Sequence, residues 1–359
     1  MRRLSLRRAP DDSGAVAVLV AVLLSGSVLL GLGAIVVDAG LLAAEREQLQ
    51  SGADAGSWAV AQNCLAQPAA CTDAVQTSIA AGYAEGNSDD AAAQTTVCRD
   101  TACLPAMAET FGCPAPASPP LHSVEVRTST LNQDGTTFLP PRFAGAIGGG
   151  NPGTTVTACA RVGWSSYPQA VSRPVFALGI SLCDWVRGTR DHGFFRATAV
   201  LDADGVSPVG RLDEPDPAAA QPVQPRDPVF RCEQEVIDSP AAPPSGWAWL
   251  GSPDASCQIT VAAPATVTAG LPLGPACCTK LAQARDQQAA LLVPIFEAAG
   301  LLTYQVSGYA AFVVTDVSCL LTVLTTVSGY FTRTFEAVGR PDFGTPTADL
   351  GTYLLGRTG

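Results

Sequence analysis

VVDAGLLAAEREQLQSGADAGSWAVA, residues 36–61, follows a long apolar run and contains neither a proline nor a turn signal. A helix that starts in the run is therefore expected to continue through the stretch. Leu42, Leu49, Ala53, Gly56 and Val60 fall at steps of 7, 4, 3 and 4, one narrow stripe of such a helix, with Asp38 projecting to the same side. Gly52, Ala53, Ala55, Gly56, Ser57 and Ala59 keep the helix thin, suited to close approach of a second helix or a sheet.

Upstream, Ala15 to Val37 are 23 residues without a charge. At the helical rise they would span roughly 34 Å, about the thickness of a bilayer core. The expectation is one transmembrane helix over 15–37, favoured over a cleaved secretory signal because signal cores run only about 7–15 apolar residues. Arg2, Arg3, Arg7 and Arg8 precede the run, and Glu45 and Glu47 follow with only Arg46 beside them. By the positive-inside bias the N-terminus is then cytoplasmic and everything after Asp38 extracytoplasmic, a single-pass protein of the cell membrane. Ser27 and Gly31 have the small-xxx-small spacing that supports homo- or hetero-association of such a helix.

All 12 cysteines lie beyond the run, in even number and without a C-x-x-C pair, which fits an oxidised framework better than zinc sites. Cys64 with Cys71 is one expected pair. Cys257 with one of the vicinal Cys277 and Cys278 is another, since adjacent cysteines are poorly placed to bond each other. Cys183 and Cys232 are further candidates, Cys232 as a tether for the segment around it. Connectivity as a whole is not readable from spacing.

Within its 359 residues the chain divides by composition. A basic tail, 1–14, leads to the span, 15–37, and a helical stalk, 38–63. A Cys/Ala-rich helical elaboration occupies 64–120, with a helix expected from Thr72 to Glu85 and a Pro-rich exit. A first β-rich unit, 121–203, opens with HSVEVRTST and TTVTACARVGW, two alternating runs read as neighbouring antiparallel strands around a Gly/Pro-rich loop. A Pro/acid-rich insertion, 204–246, follows, and a second β-rich unit, 247–359, closes the chain. The fold class expected is α+β: a single N-terminal transmembrane helix continuing into an exported helix, then a disulfide-bonded, mainly antiparallel β-rich region.

The net charge of -11, with Lys280 the sole lysine, argues against nucleic-acid binding, which needs clustered positive charge. His122 and His192 are the only histidines, and neither has a serine elbow of the G-x-S-x-G type to serve. There is no phosphate-binding G-x-x-x-x-G-K-[ST] loop. Asp202 to Ser207 lacks the third acid and closing Glu of a calcium loop, and Asp213, Glu214 and Asp216 sit in the Pro-rich insertion. No enzyme, metal or cofactor is expected.

The N-terminal string GAVAVLVAVLLSGSVLLGLGAIVVDAGLLAAEREQLQSGADAGSWAVA resembles the TadE/TadG-like proteins of Flp, or tight-adherence, pilus assembly. The elements that carry the resemblance are the basic head, Gly14, Val37, Asp38 and Gly40 at the exit, then Leu49, Gln50, Ala53, Asp54 and Ala55. Weaker similarity to segments of actinobacterial TadG-like members runs through ARVGW, ISLCDW, VPIFEAAG and YQVSGYAAFVV. Where the family has Arg and Tyr after the exit glycine, this chain has Leu41 and Leu42. Pilin-like members are cut after a glycine with a Glu five residues on; the residue there is Leu19, so no processing at Gly14 is expected. Larger members carry a von Willebrand A-type domain, whose metal motif is missing here.

The resemblance implies a non-enzymatic, membrane-anchored component of a Tad-type pilus assembly or secretion apparatus, presenting an exported scaffold to other Tad proteins or pilin. Its alternatives are a minor pilin-like subunit incorporated into a fibre and an exported surface adhesin.

Overall fold

The structure, a computed structural model, describes residues 13–24, 26–100, 102–104, 111–143, 153–190, 198–200, 206–208, 221–224, 232, 243–270, 275–320 and 323–358. In chain order these form α1 (Ser13–Leu24), α2 (Gly26–Ala66), a 3-10 turn (Pro68–Ala70), α3 (Asp73–Gly86), β1 (Ala93–Arg99), β2 (Ala102–Leu104), β3 (His122–Thr130), β4 (Thr157–Ser166), β5 (Ser172–Phe176), β6 (Leu178–Ser181) and α4 (Leu182–Thr189). Then come β7 (Thr198–Val200), β8 (Val206–Pro208), β9 (Gln221–Val223), β10 (Trp247–Trp249), β11 (Gln258–Ala262), β12 (Ala265–Thr268), α5 (Pro275–Gln287), β13 (Ala289–Ala299), β14 (Thr303–Leu320), β15 (Val323–Val338) and β16 (Thr352–Arg357). Residues 1–12 of the basic tail, His192, Asp202, Asp213, Glu214 and Asp216 lie outside the described residues.

The transmembrane helix expected over 15–37 is overturned. Among the described residues no helix is long and apolar enough to cross a membrane. Within α2 the acid Asp38 is followed by Glu45, Arg46, Glu47 and Asp54, charges that a hydrocarbon core does not accept without a partner. With the span go the single-pass topology, the cytoplasmic and extracytoplasmic assignment, and the role of a membrane-held assembly component.

The chain forms two compact units. The first comprises 1–56, 77–96 and 126–159, the second 57–76, 97–125 and 160–359. In the first, the 41-residue α2 buries Leu49, Ala53 and Gly56 among small residues. Leu49 packs in a cluster with Ala84, Ala93 and Ala158. The helix stops at Ala66, two residues before Pro68, as the steric restriction on a residue preceding proline requires. Helix α3 starts at Asp73, whose carboxylate complements the positive end of the helix dipole.

The second unit is built around β13, β14 and β15, long antiparallel strands joined in sequence. Their inward faces bring Phe296, Tyr309, Phe312 and Phe331 together with Trp185 of α4 and Leu281 of α5. Phe312 sits directly opposite Phe331 across the ladder, rings 5.2 Å apart. Most of the described strand pairs are antiparallel, but the sheet is mixed: β15 pairs parallel with β16 and β7, and β13 pairs parallel with β6. Parallel neighbours are joined by crossovers, whose destination the alternation of a strand does not encode. The segment ISLCDW turns from strand to helix at Ser181, whose Oγ accepts the Cys183 N–H at 3.0 Å and caps α4.

Among the described residues no cysteine is free. Cys64 is bonded to Cys71, Cys98 to Cys103, Cys183 to Cys232, Cys257 to Cys277, and Cys278 to Cys319. Cys113 and Cys159 are disulfide-bonded as well. The two vicinal cysteines therefore tie the first turn of α5 to two different strand ends, which fixes where that helix lies on the sheet.

Candidate functional site

The surface that calls for a partner is the N-terminal helical arm. In α1, Val16, Val18, Leu19, Val20 and Val22 are all exposed, and in α2 Leu32, Ile35, Val36, Val37 and Leu41 follow suit. Ile35 is 60% and Val36 70% accessible, whereas Leu49, little more than three turns on, is 2%. A helix apolar around its circumference belongs in an interior. The described residues of this chain leave the arm uncovered, and a contiguous exposed apolar surface of this kind marks a contact site.

What holds the rest of α2 to its own unit is a set of backbone approaches and polar clips. A Cβ placed on Gly52 would lie 2.8 Å from Ala84 Cα, and one on Gly56 3.4 Å from Ala80 Cα. Two glycines and two alanines, each pair four residues apart, thus let α2 and α3 touch backbone to backbone. The Leu49 carbonyl uses its second lone pair to accept the Thr128 hydroxyl at 2.9 Å. Gln50 Nε2 donates to the Cys159 carbonyl at 3.0 Å.

Asp38 marks where the arm meets the unit. Its carboxylate accepts the Arg142 N–H at 2.9 Å and the Phe143 N–H at 3.2 Å. Of the other exit-motif residues, Val37 and Gly40 are exposed, Ala53 is fully buried, and Asp54 and Ala55 are half-buried. The motif is thus largely a docking element, with its contacts to residues 80–84, 128, 142–143 and 159 set by the fold. Spacing had indicated the buried stripe; nothing in the sequence paired Asp38 with residues more than a hundred positions away. Substituting Asp38 by Ala is expected to speed hydrogen exchange of the Arg142 and Phe143 amides while leaving α3 amides unchanged, since a solvent-accessible charged hydrogen bond is worth about 1 kcal/mol.

Among the described residues no group of three or more His, Cys, Asp or Glu is placed to hold a metal ion. In the second unit, burial pushes the Asp184 carboxyl above its ordinary range, against the opposing pull of the Gly246 N–H and the Arg187 guanidinium, 3.1 Å away. A raised folded-state value means the native protein holds this proton longer than the unfolded chain. The stability it contributes is complete below the unfolded value of 3.8 and is lost as pH rises through the folded one. Urea unfolding at a series of pH values should therefore show Asp184→Asn flattening that decline.

A family model described as Flp pilus-assembly TadE/G-like matches residues 14–63 and leaves the rest of the chain unmatched. No curated protein and no solved structure matches the chain. The similarity covers α1 and nearly all of α2, so it takes in the exposed arm together with its docked continuation.

Proposed function

We propose that the protein is a pilin-like minor subunit of a Tad-type fibre, exported and held together by disulfides, which enters the fibre by packing its N-terminal arm against neighbouring subunits. The observation that carries this reading is the exposure of Leu32, Ile35, Val36, Val37 and Leu41 on a helix that continues into a disulfide-bonded body. In a fibre the arms of adjacent subunits form the interior that each lacks alone, and the bodies decorate the outside. Similarity of residues 14–63 to the TadE/G-like model supports the choice of fibre. The fully oxidised cysteines support export, because such bonds persist outside the reducing cytosol.

The test is recovery of the full chain in filaments sheared from cells. The natural sequence is expected in the filament fraction, and a chain carrying Ile35→Asp and Val36→Asp is expected to be absent from it while filaments still form. Normal filaments that never contain the natural chain would sink the proposal.

A further inference from the structure

Apart from the arm, the second unit holds a polar cavity of about 440 Å³ above the Cys64–Cys71 disulfide. Its wall presents two guanidiniums, Arg99 and Arg333, two carboxylates, Asp100 and Asp349, and the rings of His122 and Trp164. Several of these groups are held in place by contacts outside the cavity's own chemistry. Arg99 Nη1 donates to the Cys71 carbonyl at 3.0 Å, which ties it to the disulfide loop. Asp100 sits at a left-handed φ of 53°, a conformation uncommon outside glycine, and is pinned to Ser123 twice: its N–H donates to the Ser123 carbonyl, and its Oδ1 accepts the Ser123 N–H, both at 2.9 Å.

The remaining groups are oriented in the same way. Tyr353 Oη donates to Asp349 Oδ1 at 2.9 Å, fixing that carboxylate. His122 Nδ1 is 3.8 Å from the Asp100 carboxylate, and the His122 ring leans on Trp164 with centroids 5.7 Å apart.

Balanced charge decides the class of ligand. A phosphate or sulfate entering this cavity would meet two carboxylates, and a cation would meet two guanidiniums. A hydroxyl both donates and accepts, so a pair of neighbouring hydroxyls can satisfy a guanidinium and a carboxylate together. An aromatic ring beside these groups offers an apolar surface to the C–H face of the same molecule. The volume falls in the range of small-molecule sites. We infer that the cavity binds a neutral sugar unit of a glycan, with Arg99, Asp100, Arg333 and Asp349 as hydrogen-bonding groups and Trp164 and His122 as the apolar wall. This goes beyond entry into a fibre and does not depend on it: filament recovery reads the arm, glycan binding reads the cavity, and either can fail without the other.

The full chain, fluorescently labelled, is applied to a glycan array printed with neutral, sialylated and sulfated oligosaccharides, and neutral hits are titrated by calorimetry. Neutral glycans are expected to be retained. Arg99→Ala and Asp100→Asn, both at exposed positions, are each expected to weaken binding tenfold or more with at most a small change in thermal unfolding, since asparagine keeps the Oδ1 acceptor for the Ser123 N–H and tolerates a left-handed φ. Should either variant unfold early, Trp164→Phe, which keeps an aromatic wall but shortens it, supplies a third reading and is expected to weaken binding as well. The assignment is overturned by an array with no retained glycan, by retention of sialylated or sulfated glycans alone, or by neutral binding that the folded variants leave unchanged.

Discussion

Arg161→Met is expected to lower the unfolding free energy by about 3–5 kcal/mol, the usual consequence of stranding one charge of a buried pair. Arg161 forms an ion pair with Glu125, their side chains 15% and 5% accessible. The same guanidinium donates to the Pro114 carbonyl at 2.7 Å and the Cys113 carbonyl at 3.2 Å. Glu125 in turn accepts the Cys113 N–H at 3.3 Å. One arginine thus neutralises a carboxylate inside the second unit and fastens the start of the Pro-rich segment to it. Methionine fills similar space but leaves the carboxylate and two carbonyls without their donor. Adding Glu125→Leu is expected to restore much of the loss, because removing both charges also removes their desolvation penalty. Urea unfolding of the single and double variants measures both; equal stability of Arg161→Met and the natural chain would refute the argument.

Gly52→Leu is the second large effect, expected to cost about 1–3 kcal/mol by overpacking and to loosen α3 from α2. Even a methyl group at Gly52 would come within 2.8 Å of a backbone atom, Ala84 Cα, which has no rotamer by which to yield. Gly40 is the internal control. It lies in the same helix, and a Cβ added there would meet nothing within 4 Å. At that position, Gly→Ala should stabilise by about 0.5–1 kcal/mol through helix propensity alone. Opposite signs at two glycines twelve positions apart would distinguish backbone contact from propensity; hydrogen exchange across 77–86 would show whether α3 has come away.

The helix through residues 36–61 was legible because its signal is local: an unbroken chain, small residues, and a stripe at 3.6-residue spacing. The strand at His122–Thr130 was legible from alternation for the same reason, and the helix expected from Thr72 to Glu85 corresponds to Asp73–Gly86. The transmembrane expectation is overturned because none of the described helices is long and apolar enough to cross a membrane. The cavity around Arg99 and Asp349 had no sequence signature at all, since its walls come from the disulfide loop, the end of β1 and the turn after it, and strands β3, β4, β15 and β16 with the residue Asp349 before β16.

By itself, then, the sequence determined what neighbouring residues settle among themselves: helix or strand, the buried stripe of α2, and an oxidised cysteine framework. Only the tertiary structure decided which distant groups meet. Asp38 reaches the 142–143 backbone, Glu125 pairs with Arg161, and β15 takes β16 as a parallel neighbour. Periodicity along a chain specifies a face. The choice of what that face touches depends on chain reversals and on the packing of every other element, so it is settled only when the whole unit closes.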